Sequence, residues 1–575
     1  MTKKWIIKPP SPLAEQLASN LQITPIQAQL LINRGLADET SIRSFLSPRL
    51  GDMVDPFLLS GMEEATQLIL TAIAAQDPIT IYGDYDADGL TGAALLYQFL
   101  KHLGLPVHIY VPNRLREGYG LNREAIERLA RECRGLLITV DCGVSNMQEV
   151  ALAKKLGISV VVTDHHRIPR DIRFICPVVN PHRSDSSYPD RDLAGVGVAF
   201  LLAVALRARL REIGWFKNRR EPELKYLLDL VAVGTVADQV PLLGQNRIFV
   251  HHGLERLKHT RWEGLKAIME VSSIKSNAID TWDIAFRIAP RLNAPGRLSS
   301  PEVCIQVLTE KDGSAAKKLA LRLNEANNER QRLEQSILAE VCEAMEQDDS
   351  FYRAKVLIAG KEGWHEGVLG IVASKLVDLY YRPTLLFALD GDMAKGSGRS
   401  IDQFNLYEAI SQAGHLFDRF GGHAHAAGFS LKRERLDAVK ETLASIAEEI
   451  LDEEALTPSL EVDAELSFCA ISRKLIEDFD ALAPFGKGNP EPTFCTRGVQ
   501  VLDARVVGDK HLKMRLKNDG KVYEAIGFGM GQALPSVGRL MDIIFTPELN
   551  SWQGYDTIQL RVLDFRESRD FTSNP

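Results

Sequence analysis

The sequence predicts a multidomain α/β protein: a parallel-sheet domain, a long connecting helix, a second α/β domain and a C-terminal β-barrel. Three observations lead to this prediction. Short apolar segments alternate with helical stretches between residues 78 and 240, as in strands joined in parallel by crossover helices. A charged stretch around residue 330 keeps helical spacing. The residues after 458 form closely spaced short strands, which is typical of a small barrel.

The elements can be drawn in order. Residues 1–75 are mostly helical, as in ITPIQAQLLINRG, and residues 353–450 form the second α/β unit. The helix predicted from Ala315 to Glu346 connects domains, because its apolar repeat is not sustained as in a coiled coil. The predicted parallel strands are PITIYG, PVHIYV, GLLITVD, ISVVVTD and CPVVN. The predicted domains are 1–75, 76–310, 311–350, 351–455 and 456–575.

Composition excludes several classes of protein. The 575 residues are 45% hydrophobic and 25% charged, as in ordinary globular proteins. Nothing approaches a membrane span of ~20 apolar residues, and MTKKWIIKPPSP lacks the apolar core of a signal peptide. The seven cysteines include no C-x-x-C pair, so we expect reduced thiols in a cytoplasmic protein. A net charge of -8 argues against wholesale attraction to nucleic acid but allows a local basic groove.

Three aspartates, Asp84, Asp86 and Asp88, follow the first strand in ITIYGDYDADGLTG. A calcium-binding EF-hand loop is excluded, because its twelfth position requires Glu and is Leu95 here. A solvated acidic turn is the other simple interpretation. Three carboxylates after a buried strand repel one another unless a cation neutralises them, which favours a metal site.

Further acids and imidazoles end other apolar segments: Asp141 after GLLITV, Asp164, His165 and His166 after SVVVT, and Asp238 in YLLDLVAVGTVADQVPL. Ligands of an open parallel sheet bind beyond the carboxyl ends of its strands, so these groups can share one edge. Carboxylates with an imidazole suit Mg²⁺ or Mn²⁺. Two ions ~3.5–4 Å apart are a common device for phosphoester hydrolysis. Taken singly, each residue has a structural reading: a strand-end cap, a packed histidine pair or a helix-end turn.

In this order, GDYDADGLTG, VDCG, TDHH and VADQVPL resemble the DHH phosphoesterase superfamily. GGHAHAAGF at 421–429 is similar to the signature of the associated DHHA1 domain. NRLREGYGL, APRLNAPGRL and the barrel extend the resemblance to the bacterial single-stranded-DNA-specific exonucleases of that superfamily. The resemblance covers nearly the whole chain, and the combination of motifs is highly specific.

The resemblance implies two Mg²⁺ or Mn²⁺ ions, with Asp141 as the bridging ligand. The other implied ligands are Asp86, Asp88, His165 and Asp238. Asp84 is a near or additional ligand, since several members carry a His where this chain has Tyr82. Asp164 is expected to orient an imidazole, and His166 to contact the scissile phosphate.

Substrate contacts are expected in the second α/β domain and in two arginine motifs. In AKGSGRS, small residues admit a phosphate next to Ser397 and Arg399, although a glycine-rich turn with a solvent arginine has the same pattern. His423 is the expected phosphate contact of GGHAHAAGF. Arg114 and Arg116 share a face if their segment is extended. Arg114, Arg291 and Arg297 grip DNA phosphates or are surface charges.

The barrel strand HLKMRLK alternates apolar residues with Lys513, Arg515 and Lys517, and Tyr523 follows a tight turn. A basic face with an aromatic suits an OB-fold that binds single strands, the fold implied by the resemblance. An ordinary solvated strand face fits this pattern equally well. The loop FGKGNPEP at 485–492 has no role that its chemistry indicates.

The function implied is a single-stranded-DNA-specific 5′→3′ exonuclease that releases 5′-mononucleotides. Water activated by the metals would attack phosphorus, with the 3′-oxygen leaving. The resemblance also implies recombination and mismatch repair beside a helicase and a single-stranded-DNA-binding protein; we expect a monomer with no membrane contact. The alternatives are a small-molecule or oligonucleotide DHH phosphodiesterase, which the barrel argues against, and a non-catalytic scaffold, which the full set of acids argues against.

Overall fold

The elements follow the predicted order from helices to α/β regions to barrel strands. The computed structural model describes residues 3–552 and 555–568. The strands are β1 (Lys4–Ile7), β2 (Ile79–Gly83), β3 (Val107–Tyr110), β4 (Leu136–Val140), β5 (Ser159–Thr163), β6 (Val178–Val179), β7 (Leu357–Glu362), β8 (Thr384–Asp390), β9 (Met393–Arg399), β10 (Arg419–His423), β11 (Ala426–Lys432), β12 (Ser459–Val462), β13 (Ala464–Glu465), β14 (Phe494–Val507), β15 (His511–Asn518), β16 (Lys521–Gly527), β17 (Leu540–Trp552) and β18 (Tyr555–Glu567).

The α-helices are α1 (Ala14–Leu21), α2 (Pro25–Asn33), α3 (Glu39–Leu46), α4 (Met62–Ala75), α5 (Ala87–His102), α6 (Arg114–Glu117), α7 (Arg123–Glu132), α8 (Met147–Lys155), α9 (Gly195–Glu212), α10 (Leu228–Ala237), α11 (Gly244–Leu257), α12 (Glu263–Val271), α13 (Thr281–Asp283), α14 (Ala289–Leu298), α15 (Glu302–Thr309), α16 (Gly313–Gln347), α17 (Asp349–Arg353), α18 (Glu366–Tyr380), α19 (Leu406–Gln412), α20 (Leu436–Ile450) and α21 (Arg473–Asp480). One π-helical turn spans Ile284–Ile288. None of the helices in the described ranges has the length and hydropathy to cross a bilayer.

The chain divides into two units. The first contains residues 54–238 and 252–458, and the second contains residues 3–53, 239–251 and the part after 458. The N-terminal helices therefore belong to the unit that holds the barrel.

The first unit contains the predicted parallel sheet, in the order β3-β2-β4-β5-β6. Its strands are apolar along their length, and every residue of β2 and β4 is buried, as expected for a parallel sheet covered on both faces. Leu137 packs with residues of α7 and α8, whereas Val140 faces α5 and α9. Because side chains alternate along a strand, these helices cover opposite faces of the sheet.

The same unit contains the long helix α16 and a second, mixed sheet of order β10-β11-β9-β8-β7. The apolar residues Ile337 and Val341 of α16 pack with Leu357 and Val372 in one core. The predicted connecting helix is confirmed, and its C-terminal half is part of the second α/β region.

In the second unit, β14, β15, β16, β18 and β17 close into a five-stranded barrel through the β14–β17 pair. Helices α1 to α3 pack into the barrel core; Leu30 and Phe45 share one cluster with Phe468 and Phe545. The N-terminal strand β1 pairs in parallel with β12. This pairing was not predicted, since nothing local in KWII indicates a partner more than 450 residues away.

The condition under which Arg114 and Arg116 would share a face is not met. The segment containing Arg114 and Arg116 is not extended but forms the short helix α6. Asn113 and Glu117 hold it: the Asn113 side chain accepts from the Arg116 amide at 3.3 Å, and Glu117 accepts from the Asn113 amide at 3.0 Å. This reciprocal capping is a helix signal. The two arginines therefore do not share one face.

Candidate metal centre

The loop after β2 places three carboxylates at the carboxyl end of the sheet. Asp84 is buried, and an added Cβ on Gly89 would lie 2.6 Å from the Asp84 amide nitrogen, so the loop folds tightly over the helix start. Asp86 is the N-cap of α5 and accepts from the amides of Asp88 at 2.9 Å and Gly89 at 3.2 Å. The pattern D-x-D-x-D-G thus ends a strand, caps a helix and gathers negative charge in one turn.

The start of α9 holds Asp88. The amide of Gly195 donates to its Oδ2 at 2.6 Å and the amide of Val196 to its Oδ1 at 2.8 Å. A helix N-terminus is a favourable place for a carboxylate because its amides have no partners within the helix. Sequence reasoning missed these two residues, although a Gly-Val-Gly run at the start of an apolar helix was visible.

Asp141 follows β4 in the left-handed conformation, with φ of 62°. Its amide donates to Thr163 at 3.1 Å, and its side chain lies directly against Gly195. Asp tolerates this conformation better than most residues, and such backbone strain is concentrated at functional sites. The fold thus fixes the direction of the Asp141 carboxylate.

His165 brings the two sets of acids together. Its Nε2 lies 3.1 Å from Asp141 Oδ1, 3.6 Å from Asp238 Oδ2 and 3.9 Å from Asp88 Oδ2. Three overlapping groups have ligand atoms close enough to hold an ion: Asp84, Asp86 and Asp141; Asp88, His165 and Asp238; and Asp141, His165 and His166. Asp141 and His165 each belong to two groups, which is the arrangement that a pair of neighbouring ions needs.

The residues present fit divalent ions. Asp84 Oδ1, Asp141 Oδ1 and His165 Nε2 are buried atoms that make no hydrogen bond within the described part of the chain. Buried polar atoms without partners are costly, and a cation would satisfy all three. The donors are mostly carboxylate oxygens with one imidazole, which suits Mg²⁺ or Mn²⁺ better than zinc.

The pKa values of the candidate ligands are shifted because these groups are buried close to one another. Burial raises the pKa of Asp84 and of Asp141 well above the usual range, and neighbouring carboxylates add to the effect. Burial also raises the pKa of Asp88 to about 7 and lowers the pKa of His165 to about 4. His165 is therefore neutral at pH 7, the form that coordinates a metal. Positive charge from bound ions is what would return these acids to their ionised forms.

Asp164 and His166 form a separate pair beside the ligands. The Nδ1 of His166 lies 2.8 Å from Asp164 Oδ1, while Asp164 Oδ2 accepts from the Val144 amide at 2.9 Å. The predicted orienting role of Asp164 thus acts on the second histidine. Although burial opposes it, the Asp164 hydrogen bond raises the pKa of His166 to about 9. Tyr119, which sequence reasoning missed, places its hydroxyl 3.1 Å from the same imidazole nitrogen.

Four of the expected substrate residues line one cleft of about 960 Å³: Arg114, Arg297, Ser397 and Arg399. Tyr119 and the start of α18 line it as well. Because the Tyr119 hydroxyl also contacts His166, the cleft lies next to the metal-site residues. Burial is the main cause that lowers the pKa of both Arg297 and Arg399, and the positive charge of Arg114 is the second cause. The three guanidinium groups therefore repel one another.

Two other expected substrate residues lie outside the described lining of this cleft. Arg291 donates to Asn324 at 3.1 Å and to the Arg287 carbonyl at 2.7 Å, which ties α14 to α16. His423 ends β10, where its Nδ1 accepts from the His425 amide at 3.3 Å.

On the barrel, Lys513, Arg515 and Lys517 alternate with buried Leu512, Met514 and Leu516 on β15, as predicted. Glu524 on the neighbouring strand lies 3.7 Å from Lys513 and 3.4 Å from Arg515, so the face is not purely basic. The Tyr523 hydroxyl donates to the Ile471 carbonyl at 3.1 Å, and its ring packs on Phe468. That ring is part of the barrel core rather than an open stacking surface.

Comparison with known proteins agrees with this geometry. Residues 78–235 match the model of the DHH family N-terminal domain, residues 353–449 match the DHHA1 domain, and residues 462–564 match the RecJ OB domain. The matches fall on the parallel sheet, the second α/β region and the barrel.

Curated relatives cover almost the whole chain. The single-stranded-DNA-specific exonuclease RecJ of Bacillus subtilis is 37% identical, over 98% of this chain and 70% of its own length. That of Dickeya dadantii is also 37% identical, over 90% of this chain and 92% of its own.

Solved structures show the same fold. The crystal structure of RecJ from Thermus thermophilus in complex with Mn²⁺ covers 99% of this chain and 80% of its own, with a TM-score of 0.84 at 30% identity. The complex of that protein with Mg²⁺ has a TM-score of 0.79 at 29% identity. The order of domains, the ligand groups at the sheet edge and these identities lead to one conclusion: the chain belongs to the RecJ family of single-stranded-DNA-specific exonucleases.

Proposed function

We propose that this protein digests single-stranded DNA from the 5′ end and releases 5′-mononucleotides by two-metal hydrolysis. The observation that carries the proposal is the cluster of unsatisfied ligand atoms on Asp84, Asp141 and His165 next to a cleft lined by arginines. A hydrolase for phosphodiesters needs both parts: a place for cations at the scissile bond and a place for the phosphates of the strand.

The metals would be held by Asp86, Asp88, Asp141, His165 and Asp238, with Asp84 as an additional oxygen ligand. When bound, two divalent ions supply activation of water and stabilisation of charge on the phosphate. The amides of α9 orient Asp88, and the missing side chain of Gly195 leaves room for the Asp141 carboxylate.

His166 is a further source of positive charge beside the candidate metal ligands, because Asp164 and neighbouring acids of that cluster raise its pKa against the effect of burial. It is hydrogen-bonded to Asp164, and its raised pKa of about 9 means that the ring is protonated at neutral pH. Its side chain is also half-exposed. A protonated imidazole at this position donates to a phosphate oxygen and favours the negative charge that builds up there.

The cleft supports recognition of a strand end. Arg399 donates to Ser397 Oγ at 3.2 Å and to the Gly398 carbonyl at 2.8 Å, which orients its guanidinium at the cleft wall. An added Cβ on Gly370 of α18 would lie 2.8 Å from that guanidinium, so only a small residue fits there. A helix start, a serine and three arginines suit a phosphate with two negative charges, which favours a terminal 5′-phosphate.

We further propose cytoplasmic action, in line with the scattered cysteines, and a monomer. The family resemblance adds work in repair beside a helicase and a single-stranded-DNA-binding protein. The contribution of the barrel is proposed to come from Lys513, Arg515 and Lys517, and Arg291 and His423 stay predicted contacts of the strand.

The test uses 5′- and 3′-labelled oligonucleotides, single- and double-stranded, with Mg²⁺, Mn²⁺ or EDTA. We expect metal-dependent release of a 5′-labelled mononucleotide from single strands only. Asp141→Ala should abolish release, whereas Asp349→Ala, which changes an exposed aspartate of the same unit, should retain it.

Two other outcomes would favour a different substrate or a different polarity. Cleavage of two- to five-nucleotide pieces without digestion of long strands would support the small-molecule phosphodiesterase. Release of a 3′-labelled mononucleotide would overturn the proposed polarity.

A further inference from the structure

The loop 485–492 contacts the segment that directly follows Asp238. Asp238 caps the end of α10, where its amide donates to the Gly234 carbonyl at 2.9 Å. The next residues, 239–251, belong to the second unit, as does the loop. The protein thus passes from a metal-site residue into a different unit across a single peptide bond.

The loop holds this segment by a hydrogen bond and by close packing. The Leu242 amide donates to the Lys487 carbonyl at 2.8 Å, and Leu242 is only 2% exposed. An added Cβ on Gly486 would lie 2.7 Å from Leu242 Cδ1, and one on Gly488 would lie 3.1 Å from the Cβ of Pro241. The two glycines of the loop therefore allow the close approach of Pro241 and Leu242.

The loop itself is held in one shape by buried hydrogen bonds. Asn489 is fully buried, and its Nδ2 donates to the carbonyls of Leu482 at 2.8 Å and Pro484 at 2.9 Å. Its Oδ1 accepts from Arg34 Nε at 2.6 Å. Further along the held segment, Arg247 donates to the Ala483 carbonyl at 2.8 Å. Both partners of the contact are thus anchored in the second unit.

The connection from Leu242 back to Asp238 is short and stiff. Only residues 239–241 intervene; Gln239 is left-handed, with φ of 58°, and Pro241 has a fixed φ. Four residue steps span at most ~14 Å even when fully extended. The connection is therefore too short for Leu242 to move far without also moving Asp238.

We propose that Gly486 and Leu242 are positioning residues for the metal ligand Asp238, with the loop 485–489 as the clamp. This inference rests on the proposed metal-dependent function and adds a role for a motif that the active site does not contain. Metal–ligand distances lie within about 0.2 Å of their standard values, and mutation of the groups that support a ligand typically costs 10–100-fold in metal affinity. The clamp would act on the ion held by Asp88, His165 and Asp238.

The test measures Mn²⁺ binding to the full-length protein in the absence of DNA. Binding is monitored through the electron paramagnetic resonance signal of the free ion. Gly486→Ala should lower the affinity for one of the two Mn²⁺ ions about tenfold. The affinity for the other ion should not change. The matched control is Gly527→Ala in the same unit, where the added Cβ would lie 2.7 Å from the sulfur of Met530. Gly527→Ala should bind both ions with the affinity of the wild-type protein. Its thermal unfolding midpoint should be similar to that of Gly486→Ala.

A second variant removes the buried side chain on the other side of the contact. Leu242→Ala should lower the affinity for the same Mn²⁺ ion. If Gly486→Ala does not fold, this variant tests the proposed positioning role instead. Equal Mn²⁺ binding by both variants and by Gly527→Ala would overturn the clamp. A wild-type protein that binds no Mn²⁺ would instead refute the metal centre, whereas normal binding without DNA cleavage would refute only the proposed reaction.

Discussion

The substitution Gly195→Ala tests the metal centre with a single methyl group. Gly195 begins α9, and its amide donates to Asp88 Oδ2 at 2.6 Å. An added Cβ would lie 2.7 Å from the Cβ of Asp141 and 2.9 Å from its Cγ and Oδ1. The methyl group thus presses on the proposed bridging ligand without removing any metal ligand.

The size of the effect follows from the distances. Ordinary contacts of a Cβ begin at 3.4 Å, so the Asp141 carboxylate has to move by about 0.5 Å, which exceeds the spread of about 0.2 Å expected for metal–ligand distances. The left-handed backbone of Asp141 and its amide bond to Thr163 limit how it can yield. We expect Mn²⁺ affinity to fall 10–100-fold, or about 1.4–2.7 kcal/mol, and nuclease activity to fall at least as much.

The assay combines Mn²⁺ titration with digestion of a 5′-labelled single strand at several metal concentrations. Gly360→Ala is the control, because its added Cβ would lie 3.0 Å from the Cβ of Phe387 between β7 and β8. It tests milder crowding in the second sheet of the same unit. If Gly195→Ala matches this control in metal affinity and in activity, Asp141 is not a ligand and the reasoning fails.

Three further predictions follow from the pKa values and the charges. Burial raises the pKa of Asp229 to about 6 from 3.8, so its contribution to stability is present below about pH 4 and lost as the pH rises through 6. The loss in the free energy of unfolding is at most about 3 kcal/mol. In urea unfolding at a series of pH values, Asp229→Asn should not show this pH-dependent loss. Alanine at Lys513 or Arg515 should lower the salt dependence of strand binding by at most about one ion each, whereas Glu524→Gln should tighten binding, as measured by fluorescence anisotropy. Arg399→Lys should lose about tenfold in kcat/KM on 5′-phosphorylated strands and little on 5′-hydroxyl strands, because lysine cannot bind a phosphate bidentately; equal losses on both would contradict a terminal phosphate site.

The clustering of most candidate ligands was predictable because it depends on local patterns. Apolar β-branched segments specify the buried strands, and the carboxyl ends of parallel strands meet at one edge. Asp84, Asp86, Asp88, Asp141 and His165 therefore had to lie near one another once the strands paired. Asp238 was predicted through its motif, although it ends a helix rather than a strand.

Contacts between distant segments could not be read from the sequence. The amides of Gly195 and Val196 hold Asp88 more than 100 residues away, and β1 pairs with β12 across most of the chain. In the same way, Arg297 lines the cleft while Arg291, six residues earlier on α14, is tied to α16. Which side of a helix faces a site depends on the packing of its neighbours.

The sequence by itself determined the order of domains, the parallel sheet and the position of the candidate metal ligands along the chain, because hydrophobic periodicity and residue chemistry act over a few residues. Only the tertiary structure decided how the acids are held, which arginines share a cleft and what the loop 485–492 contacts. These features depend on atoms that are brought within about 3 Å by the packing of remote elements, and a pattern along the chain carries no signal for such distances.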